Sequence, residues 1–496
     1  MKKIAIVGAG PGGLSAGMLL ANKGHKVEIF EKKPYIGGRN SELKLCEYKF
    51  DLGPTFFLMK YILEEIFEHT GRKLEDYVKL QRIEPMYRLK FSDDKVFFPY
   101  SHMDKDKMFK EIERVFPGEK VNYDKYIEKE SVKYDRIVGC LSIPYDNLAS
   151  YLKPQFLKAI PFLDAHLSLY DVLSRYFTAE ELKLAFTFQA KYIGMSPWKA
   201  PGTFSIISYI EHALGIFHVE GGLNKLCEAM AKSFSEDGGT IQLDKGVKNL
   251  IIEGKDVKGI ELYNGEKKFY DKVIINADFA HAMKELIPQD KRQKYSDEKL
   301  DKKEFSCSTF MLYLGVNKVY EDIAHHSIIF AKDYRKNVDD IVTNFKLSED
   351  FSVYVQNASV MDKTLAPEGK STLYVLVPVP NNKAGIDWDL IKEEMKEKVL
   401  DLMETKGEYK DLRNHIEECK IITPDNWEKN YDVFLGATFN LGHQVTQMLS
   451  LRPHNRFEIL NNLYLVGGGT HPGSGLPTIY ESGRITANLI EEDFSK

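Results

Sequence analysis

The run Ile4-Ala5-Ile6-Val7-Gly8-Ala9-Gly10-Pro11-Gly12-Gly13 decides the fold. Its first four residues are apolar and mostly β-branched, as in a short strand buried on both faces. Residues 14–23 follow with helical periodicity, and Lys26-Val27-Glu28-Ile29-Phe30 reads as a second strand ending at Glu31. Strand, glycine turn, helix, strand and acid in that order make a dinucleotide-binding βαβ unit, with Gly8, Gly10 and Gly13 as its GxGxxG. Gly8 permits the tight turn, Gly10 lets the backbone approach a pyrophosphate, and Gly13 lets helix and strand pack closely. Free N–H groups at the helix start suit phosphate charge. Glu31 suits a ribose 2′-OH and disfavours a 2′-phosphate, which argues against NADP.

No charge occurs between Ile4 and Asn22, so the same run could pass for a targeting segment or a membrane span. Gly8, Gly10, Pro11, Gly12 and Gly13 argue against both, because they break the helix that either would need. The remaining composition narrows the class. The chain has 496 residues, enough for two to four units at roughly 100–200 residues each. A hydrophobic content of 43% supports a sizeable core, and a net charge of −5 gives no basic field for nucleic acid. Cys46, Cys140, Cys227, Cys307 and Cys419 are scattered and odd in number. They suggest neither a disulfide framework nor a metal site, and a reducing, cytoplasmic location is expected.

Just past the βαβ unit stand Ile36-Gly37-Gly38-Arg39 and Phe50-Asp51-Leu52-Gly53-Pro54-Thr55. The first places a flexible loop and a cation beside the dinucleotide, suiting a diphosphate that needs charge compensation. Near the other end runs Leu463-Tyr464-Leu465-Val466-Gly467-Gly468-Gly469-Thr470-His471-Pro472-Gly473-Ser474-Gly475-Leu476-Pro477. Together these resemble the FAD-dependent amine oxidase and carotenoid desaturase superfamily, and the C-terminal run is similar to the closing signature of bacterial phytoene and diapophytoene desaturases. Tyr192 to Pro197, Gly221-Gly222-Leu223 and Val273-Ile274-Ile275-Asn276-Ala277-Asp278 extend the resemblance over nearly the whole chain.

The resemblance implies an α/β fold: a discontinuous Rossmann-like FAD-binding domain from residues 1–75, 220–289 and 440–496, a mixed-sheet substrate domain from 76–105 and 290–439, and a helical cap from 106–219. It implies FAD contacts from Gly8, Gly10, Gly12, Gly13, Glu31, Lys32, Gly38, Arg39, Gly53, Pro54, Thr55, Val247, Asp278, Gly468, Gly469, Gly475, Leu476, Pro477 and Thr478. Val247 is expected near the adenine. The residues themselves predict a hairpin over 85–99, a helix over 223–234, short strands over 241–243, 247–252, 257–263 and 272–275, and a helix over 388–405.

Neither a second GxGxxG nor a redox CxxC is present, so electrons are expected to enter the flavin from the substrate and leave to a quinone or oxygen. Pro477 is placed at the first position of a helix over 478–491, whose N-terminal N–H groups would face the negative charge of a reduced flavin. His471 is the candidate base for proton removal, against the alternative of a structural hydrogen-bonding group. The expected substrate is an acyclic C30 or C40 polyisoprenoid. Aromatic faces could stabilise the cation left by hydride loss, and Phe156, Phe162, Tyr170, Tyr176, Phe177, Phe186, Phe188, Tyr192 and Trp198 are the inventory. Leu148, Tyr151, Leu152, Phe156, Leu157 and Ile160, with Lys153 and Lys158 between them, suit peripheral contact with the inner face of the membrane. The alternatives are a carotenoid isomerase, an amine oxidase of polar substrates, and a lipid-binding escort protein without FAD.

Overall fold

The computed structural model describes residues 1–496, the side chain of Tyr192 excepted. The chain forms an α/β fold on two main sheets. Lys3–Val7 lies at the centre of a five-stranded parallel sheet, because Ile4, Ala5 and Ile6 are shielded from solvent on both faces. On one side follow Lys26–Phe30 and Thr240–Gln242; on the other follow Lys272–Ile275 and Leu463–Leu465. Segments far apart in sequence thus return to one sheet. Helix Pro11–Asn22 packs against helices Asn224–Glu236 and Leu476–Ser495. Val247–Glu253, Asp256–Leu262 and Lys267–Phe269 form an antiparallel meander beside the parallel sheet.

The second sheet has seven strands, in the order Ile416–Ile422, Ser308–Val316, Ser371–Val379, Val353–Gln356, His326–Ile329, Arg88–Lys90 and Val96–Phe97. It is mixed, because Arg88–Lys90 runs parallel to His326–Ile329 while the other neighbours are antiparallel. Every residue of Ser308–Val316 is buried, and its period of two divides them. Phe310, Leu312 and Leu314 pack with Trp388, Met395 and Val399 of helix Trp388–Thr405. Met311 and Tyr313 point the other way, towards Tyr48, Phe50 and Trp427.

Between residues 105 and 214 the chain is mostly helical, with Lys105–Val115, Lys120–Ile137 and Ser205–Leu214 its longest helices. The segment with alternating apolar residues and lysines breaks into a 3-10 turn Leu148–Leu152, helix Pro154–Ala159 and a second turn Ile160–Phe162. Pro154 and Pro161 sit at the first turns of the latter two, where a missing N–H is tolerated. The last helix begins at Leu476 rather than 478, so Pro477 occupies its second position. The cause is Gly475, whose φ of +117° ends the loop there. No helix among the described residues is long and apolar enough to cross a membrane.

Candidate functional site

A cavity of about 470 Å³ runs from the carboxyl ends of the parallel sheet onto one face of the mixed sheet. That is where ligands bind in open α/β sheets. Val7, Gly8, Gly10, Glu31, Gly38, Val247 and Asp278 line one half; Phe56, Phe188, Met311, Tyr354, Tyr374 and Leu376 line the other.

In the first half the glycine turn is tied down by Asn276. Its Nδ2 donates to the Gly8 carbonyl at 3.0 Å and the Gly10 carbonyl at 3.2 Å. Gly8 has φ +101°, and a Cβ there would stand 2.5 Å from the Asn276 carbonyl oxygen. A Cβ on Gly13 would stand 2.6 Å from both the Gly8 oxygen and Asn276 Nδ2. Glu31 is held from two sides, accepting from the Ala9 N–H at 2.8 Å and the Lys33 N–H at 2.9 Å. Each bond occupies a different carboxylate oxygen, so both retain lone pairs for a diol.

Arg39 donates to the Thr438 carbonyl at 3.0 Å. With the Asn440 amide turned as its neighbours require, its oxygen accepts from Arg39 at 2.9 Å and its nitrogen donates to Asp278 at 2.8 Å. Asp278 also caps helix Phe279–Leu286 through the His281 N–H. Burial lowers the Arg39 pKa, with Asp278 opposing, and burial raises that of Asp278, with Arg39 opposing. The pair is a mutually compensated charge in the cavity wall. Lys32 pairs with Asp432 at the rim.

The loop Val466 to Gly475 closes the site. It rests on Arg452, a fully buried guanidinium that donates to the carbonyls of Gly468 at 2.6 Å and Thr470 at 3.1 Å, and to those of Leu441, Gly442 and Gln447. Burial pushes Arg452 down to about 9. Gly467 and Gly475 have φ +113° and +117°, conformations that glycine alone adopts without strain.

Of the residues expected at the cofactor, Gly8, Gly10, Glu31, Lys32, Gly38, Arg39, Gly53, Pro54, Thr55, Val247, Asp278, Gly468, Gly475, Leu476 and Pro477 meet at this cavity. Gly12, Gly13, Gly469 and Thr478 do not line it. Gly12 and Gly13 face Asn276, Gly469 faces Phe279, and Thr478 donates back to the Gly473 and Gly475 carbonyls.

His471 is also elsewhere: its ring is edge-on to Tyr145 at 5.2 Å, buried beneath the helical segment, and burial pushes it down to about 3. The structure places His471 outside the cavity lining, away from where the expected base would meet substrate. Among the described side chains of the aromatic inventory, only Phe188 lines the cavity. Phe177 and Phe186 pack on Tyr126, Tyr176 packs on Tyr126, and Tyr170 on Trp198; Phe156 and Phe162 belong to a peripheral cluster. The Tyr192 side chain lies outside the described residues.

Sequence reading missed Asn276, Asn440, Phe56, Tyr354, Tyr374 and Lys191. Lys191 faces the cavity with its ammonium 4.6 Å from the Tyr334 ring centre, and remoteness from bulk water pushes it down to about 7. Alternation along the strands was the available signal for Tyr354, Tyr374 and Leu376, but it could not say which face was enclosed.

The site fits a flavin dinucleotide. A Cβ on Gly38 would meet nothing nearer than Gly10 Cα at 3.8 Å, so open room lies beside the turn at Gly38, and Glu31 keeps acceptors free for a ribose. The chain matches the family of flavin containing amine oxidoreductases over residues 11–490. It belongs to that family. It is an FAD-dependent oxidoreductase. A 4,4'-diapophytoene desaturase (4,4'-diapolycopene-forming) from Methylomonas sp is 50% identical over 491 residues, covering 99% of this chain and 95% of the relative. A 4,4'-diapophytoene desaturase (4,4'-diaponeurosporene-forming) from Staphylococcus haemolyticus is 34% identical over 502 residues, covering 99% of each. The solved structure of putrescine oxidase bound to putrescine has the same fold, with a TM-score of 0.64 at 13% identity, covering 100% of this chain and 99% of that one.

Proposed function

We propose that this family member is a desaturase of an acyclic C30 or C40 polyisoprenoid such as diapophytoene or phytoene. One observation supports this above the others: the dinucleotide half of the cavity opens directly into a half walled by Phe56, Leu58, Phe188, Met311, Ile328 and Leu376. Its acidic lining residues, Glu31, Asp278, Glu285 and Asp432, all belong to the dinucleotide half, so among the described residues no carboxylate awaits an amine in the apolar half. The 50% identity to a diapophytoene desaturase supports the same reading.

When bound, FAD supplies a two-electron acceptor for hydride from an allylic C–H. The chain's residues do the rest. Glu31 would hold the ribose, and the turn Gly8 to Gly13 with the start of helix Pro11–Asn22 would hold the diphosphate. Helix Leu476–Ser495, whose first residues line the cavity, would offer its N-terminal N–H groups to negative charge on a reduced flavin. The apolar wall orients the polyene and excludes water from a cation, while the rings of Tyr354, Tyr374 and Phe56 offer it π-electron density. A quinone or oxygen takes the electrons afterwards.

The substrate is a lipid, and we place its collection at the membrane surface, on the cytoplasmic side. Leu148, Leu152, Leu157 and Ile160 are 82%, 72%, 49% and 50% exposed, with Lys153 and Lys158 exposed between them. Tyr151 and Phe156 face inward instead, Tyr151 bonding Ser450 at 2.6 Å and Phe156 packing on Tyr145. Apolar tips rimmed by lysines suit insertion among anionic headgroups.

The test is anaerobic mixing of the purified, flavin-loaded protein with diapophytoene or phytoene. The visible flavin absorption should bleach, and the extracted polyene should have lost pairs of hydrogens. A flavin that stays oxidised with every acyclic polyene would refute the reading.

A further inference from the structure

Desaturation removes a hydride and a proton from neighbouring carbons, and the proton must leave a cavity built to exclude water. Tyr354 stands on its apolar wall, and its hydroxyl is bonded on two sides: to Thr55 Oγ1 at 2.7 Å and to His326 Nδ1 at 2.8 Å. Phe56, also in the wall, stacks on the His326 ring at 4.2 Å. Behind it lie two more buried imidazoles. The His325 ring is 4.3 Å from that of His326, and the His218 ring is 5.0 Å from that of His325. His218 Nε2 ends the row 2.9 Å from Asp362 Oδ2. His326 Nε2, both ring nitrogens of His325 and His218 Nδ1 have no hydrogen-bond partner among the described residues.

Such a row is expensive to bury if it serves packing alone. Burial, reinforced by the neighbouring imidazoles, holds His325 and His326 well below the usual histidine pKa, so both rest neutral and able to accept. Asp362 stays ionised: burial raises it, but bonds from His218, Thr364 and the Gly221 N–H outweigh that. A buried carboxylate at the far end favours a proton moving away from the cavity.

We propose that Tyr354 is the catalytic group that receives the substrate proton, with His326, bonded to its hydroxyl, taking the Tyr354 proton in turn. The proposal rests on the desaturase reading above. Hydride leaves one carbon with both electrons of its C–H bond and passes to FAD, leaving a cation. The neighbouring C–H bond then gives its electrons to the new C=C. Its proton goes to Tyr354 Oη as the Tyr354 proton goes to His326 Nδ1. The substrate loses two hydrogens, FAD gains a hydride, and His326 gains one proton. The proton beside a carbocation is far more acidic than an imidazolium, so a weakly basic row suffices.

Tyr354→Phe keeps the ring and removes the hydroxyl; His326→Asn keeps an acceptor for Tyr354 but cannot take its proton. The experiment is single-turnover anaerobic bleaching with diapophytoene, in H₂O and D₂O, with product masses and flavin content measured. Both variants should bind FAD and be reduced by dithionite as wild type is. They should convert the polyene about 100-fold more slowly, lose the slowing in D₂O that wild type shows, and release product one water heavier than the alkene, from capture of the undeprotonated cation. The proposal is overturned if both keep the wild-type rate and product, or if Lys191→Met, removing the other cavity base, gives the water adduct instead. A wild-type protein that no acyclic polyene bleaches would overturn the desaturase reading, and this inference with it.

Discussion

Asn276 offers the sharpest test of how the cofactor cradle is built. Its amide donates two hydrogen bonds to the carbonyls of the glycine turn, at 3.0 and 3.2 Å, and no other side chain bridges Gly8 and Gly10 among the described residues. Asn276→Ala removes both. At about 1 kcal/mol net per neutral bond, the turn loses roughly 2 kcal/mol of preorganisation, which is about 30-fold in the FAD dissociation constant. Asn276→Asp is nearly isosteric yet places a carboxylate oxygen against two carbonyl oxygens and beside the diphosphate position. It should bind FAD more weakly than the alanine variant. Titration of apoprotein by flavin fluorescence measures both, and thermal unfolding of the apoproteins separates cradle effects from global destabilisation. If Asn276→Asp binds FAD within about twofold of wild type, a factor worth only ~0.4 kcal/mol, the bonds do not organise the turn and the reasoning fails.

The buried histidines set an acid limit on stability. Burial lowers His212 and His471 to about 3 in the folded protein, against 6.5 when unfolded. Between these values the unfolded chain binds more protons, so stability is complete above about pH 6.5 and falls as pH drops, by roughly 2 kcal/mol per ring at pH 5. Urea unfolding at pH 7 and pH 5 should show the loss, and His212→Phe, replacing a ring stacked on Phe186 at 4.4 Å, should lessen it; equal stability at both values would contradict this. At the surface, Leu148→Glu with Leu152→Glu should abolish sedimentation with vesicles containing anionic lipid while leaving bound FAD unchanged. Retained sedimentation would locate the membrane contact elsewhere.

The two ends of the chain were legible because their chemistry is local. Gly8, Gly10 and Gly13 are dictated by a turn of a few residues, and Glu31 closes a strand whose pairing with Lys3–Val7 follows from one short crossover. Likewise the helix over 388–405 is written in its own periodicity and appears with those bounds. Pro477 was read one position out because the helix start depends on the φ of Gly475, which the sequence leaves open. The aromatic inventory was drawn from the segment richest in rings, yet most of those rings fill the interior between helices. The cavity instead takes residues from four strands of the mixed sheet, Met311, Ile328, Tyr354 and Tyr374 among them.

By itself, then, the sequence determined a dinucleotide-binding α/β protein with a flavin-type C-terminal loop, since each of those features is specified within a few tens of residues. Tertiary structure decided the rest. Only strand pairing over hundreds of residues brings Asn276 to the glycine turn, turns His471 away from the cavity, and sets Tyr354 between Thr55 and His326. A strand's alternation names two faces but not the one enclosed, and that choice belongs to whatever packs against it.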